Sequence, residues 1–140
     1  MGANERDDGD WIRDTAKAWG RSPEDLKCSG CKSTVRSSFC TGCRIRTCAV
    51  KRGVEFCMEC SDYPCDVISA FRNDDALHHS AVFSNLAAIQ EQGVDAWLGS
   101  EKVRWSCSKC GARFYWYSGT CGSCGNDLYD ATAEEKDLMV

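Results

Sequence analysis

The 140-residue chain is poor in the side chains that build an ordinary core. Leu, Ile, Val and Phe together number only 23, below the one-fifth level at which apolar burial holds a domain by itself. No stretch has the length and hydropathy of a membrane span, so a membrane partner or anchor is not expected. The first residues, MGANERDDGDWIRD, lack a basic start followed by an apolar run, and no secretory signal is expected. Arg6 stands where an N-myristoylation pattern needs Ser or Thr. No Gly-rich phosphate loop, Ser/His/Asp pattern or paired-carboxylate element stands out, so no catalytic class is indicated. The expectation is a cytoplasmic protein whose fold is held by something besides apolar burial.

Twelve cysteines supply that something. Ten form the pairs Cys28/Cys31, Cys40/Cys43, Cys57/Cys60, Cys107/Cys110 and Cys121/Cys124, with Cys48 and Cys65 single. In a reducing compartment structural disulfides are rare, and paired cysteines read first as metal ligands. A Cys-x-x-Cys turn aims two thiolates at one ion while nearby backbone N–H groups soften their charge, and two turns complete a tetrahedron. Twelve thiols therefore suit about three ions. Zinc is favoured, because a closed all-thiolate tetrahedron suits it and it brings no redox chemistry to control.

The C-terminal set is the sharpest. WSCSKCGARFYWYSGTCGSCGNDLY places Cys107/Cys110 and Cys121/Cys124 ten residues apart, with Gly111 and Gly125 each directly after a pair. Glycine there permits the positive φ such a turn requires. The intervening aromatics favour strand, and Ser118-Gly119 is a candidate hairpin turn, so this segment reads as a zinc ribbon. The other eight, Cys28 to Cys65, are enough for two sites. One division joins residues 28, 31, 40 and 43 in one site and 48, 57, 60 and 65 in the other. Interleaving is equally compatible with the spacing, although shorter loops close at lower entropic cost. An iron–sulfur cluster is the alternative cofactor for these eight, against which Pro64 precedes Cys65 instead of following it as in the bacterial ferredoxin run. Thioredoxin-like redox chemistry would need a βαβ pattern that SSFCTGCRIRTC does not offer.

The remaining segments read as helices. Residues 10–20 place Trp11, Thr15 and Trp19, or Ile12 and Trp19, along one side, with Gly20 as a stop. Ser22-Pro23-Glu24-Asp25 is an N-cap, a proline at the first helical position and two first-turn acids. DDALHHSAVFSNLAAIQEQG sets Leu77, Val82, Leu86 and Ile89 on a stripe ending at Gly93, and a second helix carrying Trp97 and Leu98 follows. With twelve thiols filling three sites, His78 and His79 read as surface or partly packed side chains and not as ligands. The tail ATAEEKDLMV is expected to be frayed or a short helical end.

The net charge is −4, yet residues 27–53 hold Lys27, Lys32, Arg36, Arg44, Arg46, Lys51 and Arg52 with no acid. Each four-thiolate zinc site carries about −2, and neighbouring cations offset that charge. With the aromatics Phe114, Tyr115, Trp116 and Tyr117 beside Lys102, Arg104, Lys109 and Arg113, binding of single-stranded nucleic acid, RNA in particular, is the second reading. The first is a structural-zinc scaffold that docks a protein partner, with no enzyme activity indicated.

Several marks carry a family likeness: Pro-Glu-Asp-x-x-Cys-x-Gly-Cys at residues 23–31, Cys-x-Ile-Arg-x-Cys at 43–48, Lys51-x-Gly53-Val54-Glu55, and Cys-x-x-Cys-x-x-Tyr-Pro-Cys at 57–65. With NLAAIQEQGVDAWL and RWSCSKCG they make the chain, over about residues 11–125, resemble the cysteine-rich family called domain of unknown function 3795 (DUF3795). Many such proteins begin with a further Cys-Gly-x-x-Cys-x-x-Cys element, and this chain has no cysteine before Cys28. The resemblance implies a small, cytosolic, zinc-bound protein and no established activity. The fold expected is a small α+β metal-stabilised protein. It comprises an N-terminal tail and short amphipathic helix (1–22), a cysteine-rich two-metal module (23–66), a helical bridge (67–104), a C-terminal zinc ribbon (105–130) and an acidic tail (131–140).

Overall fold

A computed structural model describes residues 9–139, apart from the side chains of Asp10 and Trp11. The place expected for Trp11 on the packed side of the first helix thus lies outside the described residues. The backbone divides into two compact units, Met1–Glu55 and Phe56–Val140.

In the first unit, α1 spans Gly9–Ala18 and α2 spans Pro23–Leu26. Ile12 and Ala16, one turn apart on α1, form with Leu26 the apolar cluster of this unit. Leu26 reaches that cluster because α2 starts where the sequence says it should. Ser22 Oγ accepts from Asp25 N–H, the Asp25 carboxylate accepts from Ser22 N–H, and Pro23 opens the first turn. Trp19 lies beyond α1, 45% exposed, with its ring edge-on to Phe39 at 6.0 Å, so it does not share the packed side of α1 with Ile12.

A 3-10 turn at Ser38–Cys40 leads into α3, Arg44–Arg52, which begins directly after Cys43 and stops at Gly53 in the left-handed region. Lys32 anchors the loop after Cys31 to the far end of α3: its ammonium donates to the carbonyls of Val54 (2.8 Å) and Glu55 (3.1 Å) and pairs with the Glu55 carboxylate at 2.9 Å.

In the second unit, a 3-10 turn at Cys57–Glu59 precedes α4 (Asp66–Arg72). Another at Leu77–His79 precedes α5 (Val82–Gln92) and α6 (Val94–Arg104), and α7 (Ala131–Leu138) follows the C-terminal cysteines. Gly93 ends α5 and opens α6, and the two helices are tied by Trp97 Nε1–H donating to Asn85 Oδ1 at 3.2 Å. Of the expected stripe, Leu86 and Ile89 are buried while Leu77 and Val82 are half-buried. Asp130 caps α7 by accepting from the N–H groups of Thr132 and Ala133. The acidic tail is therefore helical.

The β part of the expected α+β class reduces, among the described residues, to two isolated antiparallel bridges, Ser106 with Arg113 and Thr120 with Asp127. The described chain is otherwise helix and turn. No large side chain among the described residues is fully buried, as the shortage of aliphatic residues anticipates.

His78 and His79 are half-buried and packed. Phe71 stacks on His79 at 3.7 Å, and His78 stacks on Trp116 at 3.7 Å and 10°. His78 Nδ1 lies 2.7 Å from the Tyr117 hydroxyl, and His79 Nδ1 lies 2.8 Å from the Asp74 carboxylate. Burial first, and the neighbouring His79 second, hold His78 down at about 4, against the opposing pull of Asp74.

Two outcomes follow from this packing. Leu26→Ala should cost about 2–4 kcal/mol, read as a lower urea midpoint for loss of the first unit's helical signal. For His78, the unfolded chain takes up a proton near the ordinary value of about 6.5, whereas the folded chain resists it down to about 4. Its contribution is thus complete above the ordinary value and is lost as pH falls through that window. Thermal unfolding at pH 7 and pH 4.5 should show a smaller acid loss in His78→Phe than in the unaltered protein; equal losses would contradict the assignment.

Candidate metal centre

Each C-terminal cysteine pair sits on a tight turn of the same design. In the first, Cys107 N–H donates to the Ala112 carbonyl (2.8 Å) and Gly111 N–H to the Cys107 carbonyl (2.8 Å). In the second, Cys121 N–H donates to the Asn126 carbonyl (2.8 Å) and Gly125 N–H to the Cys121 carbonyl (2.9 Å). Both turns require a residue at positive φ just after the pair, and Gly111 (73°) and Gly125 (70°) supply it. The isolated bridges close the bases of the two turns.

The turns face each other and bring four sulfurs together. All four Sγ atoms lie within 4.8 Å of one another, with Cys107 to Cys124 at 3.7 Å and Cys110 to Cys121 at 3.6 Å. A tetrahedral thiolate site with bonds of about 2.3 Å has edges of about 3.8 Å, so the donor set fits a single ion in spacing and in chemistry. Cys107 and Cys121 are buried, Cys124 is half-buried and Cys110 exposed.

The backbone prepares the sulfurs for the anionic form. Cys107 is held down at about 6, chiefly by the N–H groups of Cys110 and Lys109. Cys121 is lowered in the same way by the N–H groups of Ser123 and Cys124. Asn126 N–H acts to lower Cys124, but its contacts with the other three thiols, together with burial, push it up to about 12. The four sulfurs thus compete to hold charge, and a dication relieves that competition. Around an ion, the four cysteines would close the coordination shell, the form typical of a structural site.

On either side in the chain, the site is fastened to α6 and α7. Ala131 N–H donates to the Trp116 carbonyl at 2.8 Å. Arg104 lies over the rings of Trp105 (4.2 Å) and Tyr129 (4.7 Å) and donates to the Glu134 carboxylate at 3.3 Å. The reversal between the two pairs falls at Tyr115–Ser118, where Ser118 N–H donates to the Tyr115 carbonyl at 3.0 Å, and not at Ser118-Gly119. Ser118 Oγ also accepts from Tyr115 N–H, a role its position beside a glycine did not reveal.

The other eight cysteines are placed differently. Cys28, Cys31, Cys40, Cys43 and Cys48 belong to the first unit, and Cys57, Cys60 and Cys65 to the second. Among the described residues, the C-terminal four are the only group of three or more Cys, His, Asp or Glu whose ligand atoms converge within 4.8 Å. None of the twelve cysteines forms a disulfide, and none of the described helices is long and apolar enough to cross a membrane.

These features describe a small, mostly helical, cysteine-rich protein with a four-thiol group able to hold a metal ion. Residues 2–70 match the family described as "Protein of unknown function (DUF3795)". The match takes in all eight cysteines from Cys28 to Cys65 and stops before the C-terminal four, covering less of the chain than the span of about 11–125 over which the likeness was drawn. No curated protein and no solved structure matches the chain.

The turn geometry gives a graded test. An alanine Cβ at Gly111 would meet nothing within 4 Å, so Gly111→Ala pays only for the left-handed backbone, about 1–2 kcal/mol. Metal affinity of the C-terminal site, read by chelator competition, should drop about 5- to 30-fold with stoichiometry unchanged. Gly122→Ala, with open space and no positive φ, should leave it as it is.

Proposed function

We propose that the protein is a zinc-binding scaffold whose C-terminal segment, residues 105–130, is a zinc ribbon that presents aromatic side chains to a protein partner in the cytoplasm. The convergence of four sulfurs at tetrahedral spacing carries this reading. Zinc accounts best for a closed all-thiolate donor set without an open position. The two-metal character of residues 23–66 is part of the same proposal, with the twelve thiols together supplying about three ions. A partner surface is offered by Tyr115, Trp116, Tyr117 and Tyr129, each roughly two-fifths exposed or more, since exposed Tyr and Trp are the side chains interfaces favour.

Nucleic acid is the second reading, supported by the run of cations in residues 27–53. The unit that carries the ribbon argues against a nucleic-acid surface there: between Phe56 and Val140 there are thirteen Asp and Glu against six Lys and Arg, and metal-bound thiolates would add further negative charge.

Elemental analysis of protein purified without added metal should give about three zinc ions per chain. A structural zinc contributes about 10–16 kcal/mol, as much as or more than the whole stability of a small domain. Chelation under reducing conditions should therefore abolish most of the helical circular dichroism. Near-native helix content in the metal-free protein would sink the proposal, and iron with a visible absorption would replace zinc.

A further inference from the structure

We infer that the first unit carries a binding site for single-stranded nucleic acid, in which Phe39 and Trp19 stack on bases and Arg21 meets the phosphate chain. This deepens the second reading above and rests on it, assigning the strand to the first unit and not to the ribbon.

Phe39 is the most exposed aromatic side chain among the described residues, at 59%, and unlike Tyr or Trp it has no polar tip to offset contact with water. Its backbone is nonetheless fixed. Ser37 Oγ accepts from Phe39 N–H and donates to the Asp25 carbonyl at 2.9 Å, which ties the 3-10 turn Ser38–Cys40 to α2. The end of α1 brings two more groups beside the ring. Trp19 N–H donates to the Thr15 carbonyl (3.0 Å), Gly20 turns the chain at a φ of 62°, and Arg21 N–H returns to the Ala16 carbonyl (2.8 Å). Trp19 thereby stands edge-on to Phe39 at 6.0 Å, and the Arg21 guanidinium carbon lies 5.5 Å from the centre of the Phe39 ring. Segments apart in the chain thus converge to display two rings and a guanidinium at the surface.

Charge selects the occupant. Residues 27–53 hold seven Lys and Arg and no acid. The acids that border the run are engaged: Glu24 pairs with Lys27 at 2.8 Å, Glu55 with Lys32 at 2.9 Å, and Asp25 closes the cap of α2. Arg21, Arg36, Arg44 and Lys51 are exposed. Exposed rings beside cations suit a polyanion that also offers flat π faces. A single strand is such a polymer, because its bases stack on aromatic side chains while its phosphates follow the cations. A duplex keeps its base faces stacked inside, where Phe39 does not reach them. An acidic peptide engages the cations but brings no base to lay on the ring.

The test titrates the full chain into a fluorescein-labelled oligouridylate of about twelve nucleotides, within the usual span of single-strand sites, with anisotropy read at several salt concentrations. Phe39→Leu keeps the bulk and loses the flat face. It should weaken binding about 5- to 150-fold, the range for one stacked base, with the salt slope unchanged. Phe39→Trp should restore the affinity. Arg21→Gln should weaken binding and also reduce the slope of log K against log salt by about 0.7, the share of one phosphate on a single strand. Full affinity in Phe39→Leu, no rescue by tryptophan, or an unchanged slope in Arg21→Gln would overturn this site and leave the nucleic-acid reading standing. An oligoglutamate of equal length bound as tightly as the oligonucleotide would overturn it in favour of an acidic protein. No binding of oligouridylate by the unaltered chain would overturn the site and the reading together.

Discussion

The convergence of four sulfurs on paired backbone turns is the interaction on which the second unit depends. Its helices bury only a handful of aliphatic side chains, chiefly Ile68, Leu86 and Ile89, and Cys107 and Cys121 are themselves among its most buried residues. The sulfurs occupy the position that large aliphatic side chains hold in an ordinary domain. The N–H groups aimed at Cys107 and Cys121 lower the cost of collecting negative charge there. Fixing the turns also fixes what hangs from them: Trp116 offers its carbonyl to the start of α7 and its ring to His78.

Local chemistry was legible in the sequence wherever one residue type has one use. Ser22-Pro23-Glu24-Asp25 gives the start of α2, Gly93 the break between α5 and α6, and Gly111 and Gly125 the turns behind two cysteine pairs. Legibility fails where one residue serves two purposes. Ile45, Cys48 and Ala49 have the spacing of a helical face, but Cys48 read as a ligand hid the helix Arg44–Arg52. The aromatics Phe114 to Tyr117 have strand propensity, yet their segment is held by cysteine turns at both ends and its rings serve contacts with Trp105 and His78. Tertiary context outweighs β-propensity there. The contacts of His78 with Trp116 and Tyr117 join positions nearly forty residues apart, beyond the reach of any periodic pattern.

Charge is divided as unevenly as the cysteines. Residues 27–53 are basic throughout, whereas the second unit is strongly acidic. In the first unit the cations lie within and beside the cysteine turns, and several are spent on carbonyls and carboxylates. In the second, backbone N–H groups rather than side-chain cations support the sulfurs.

The two C-terminal turns repeat one another bond for bond, down to the pair of N–H groups on the first sulfur of each. Such an arrangement is a local pseudo-dyad built from one strip of polypeptide. The backbone halves are thus equivalent while their outer sulfurs are not: Cys110 is exposed and Cys124 half-buried, so a cation entering the group would meet one sulfur open to solvent and its counterpart partly covered.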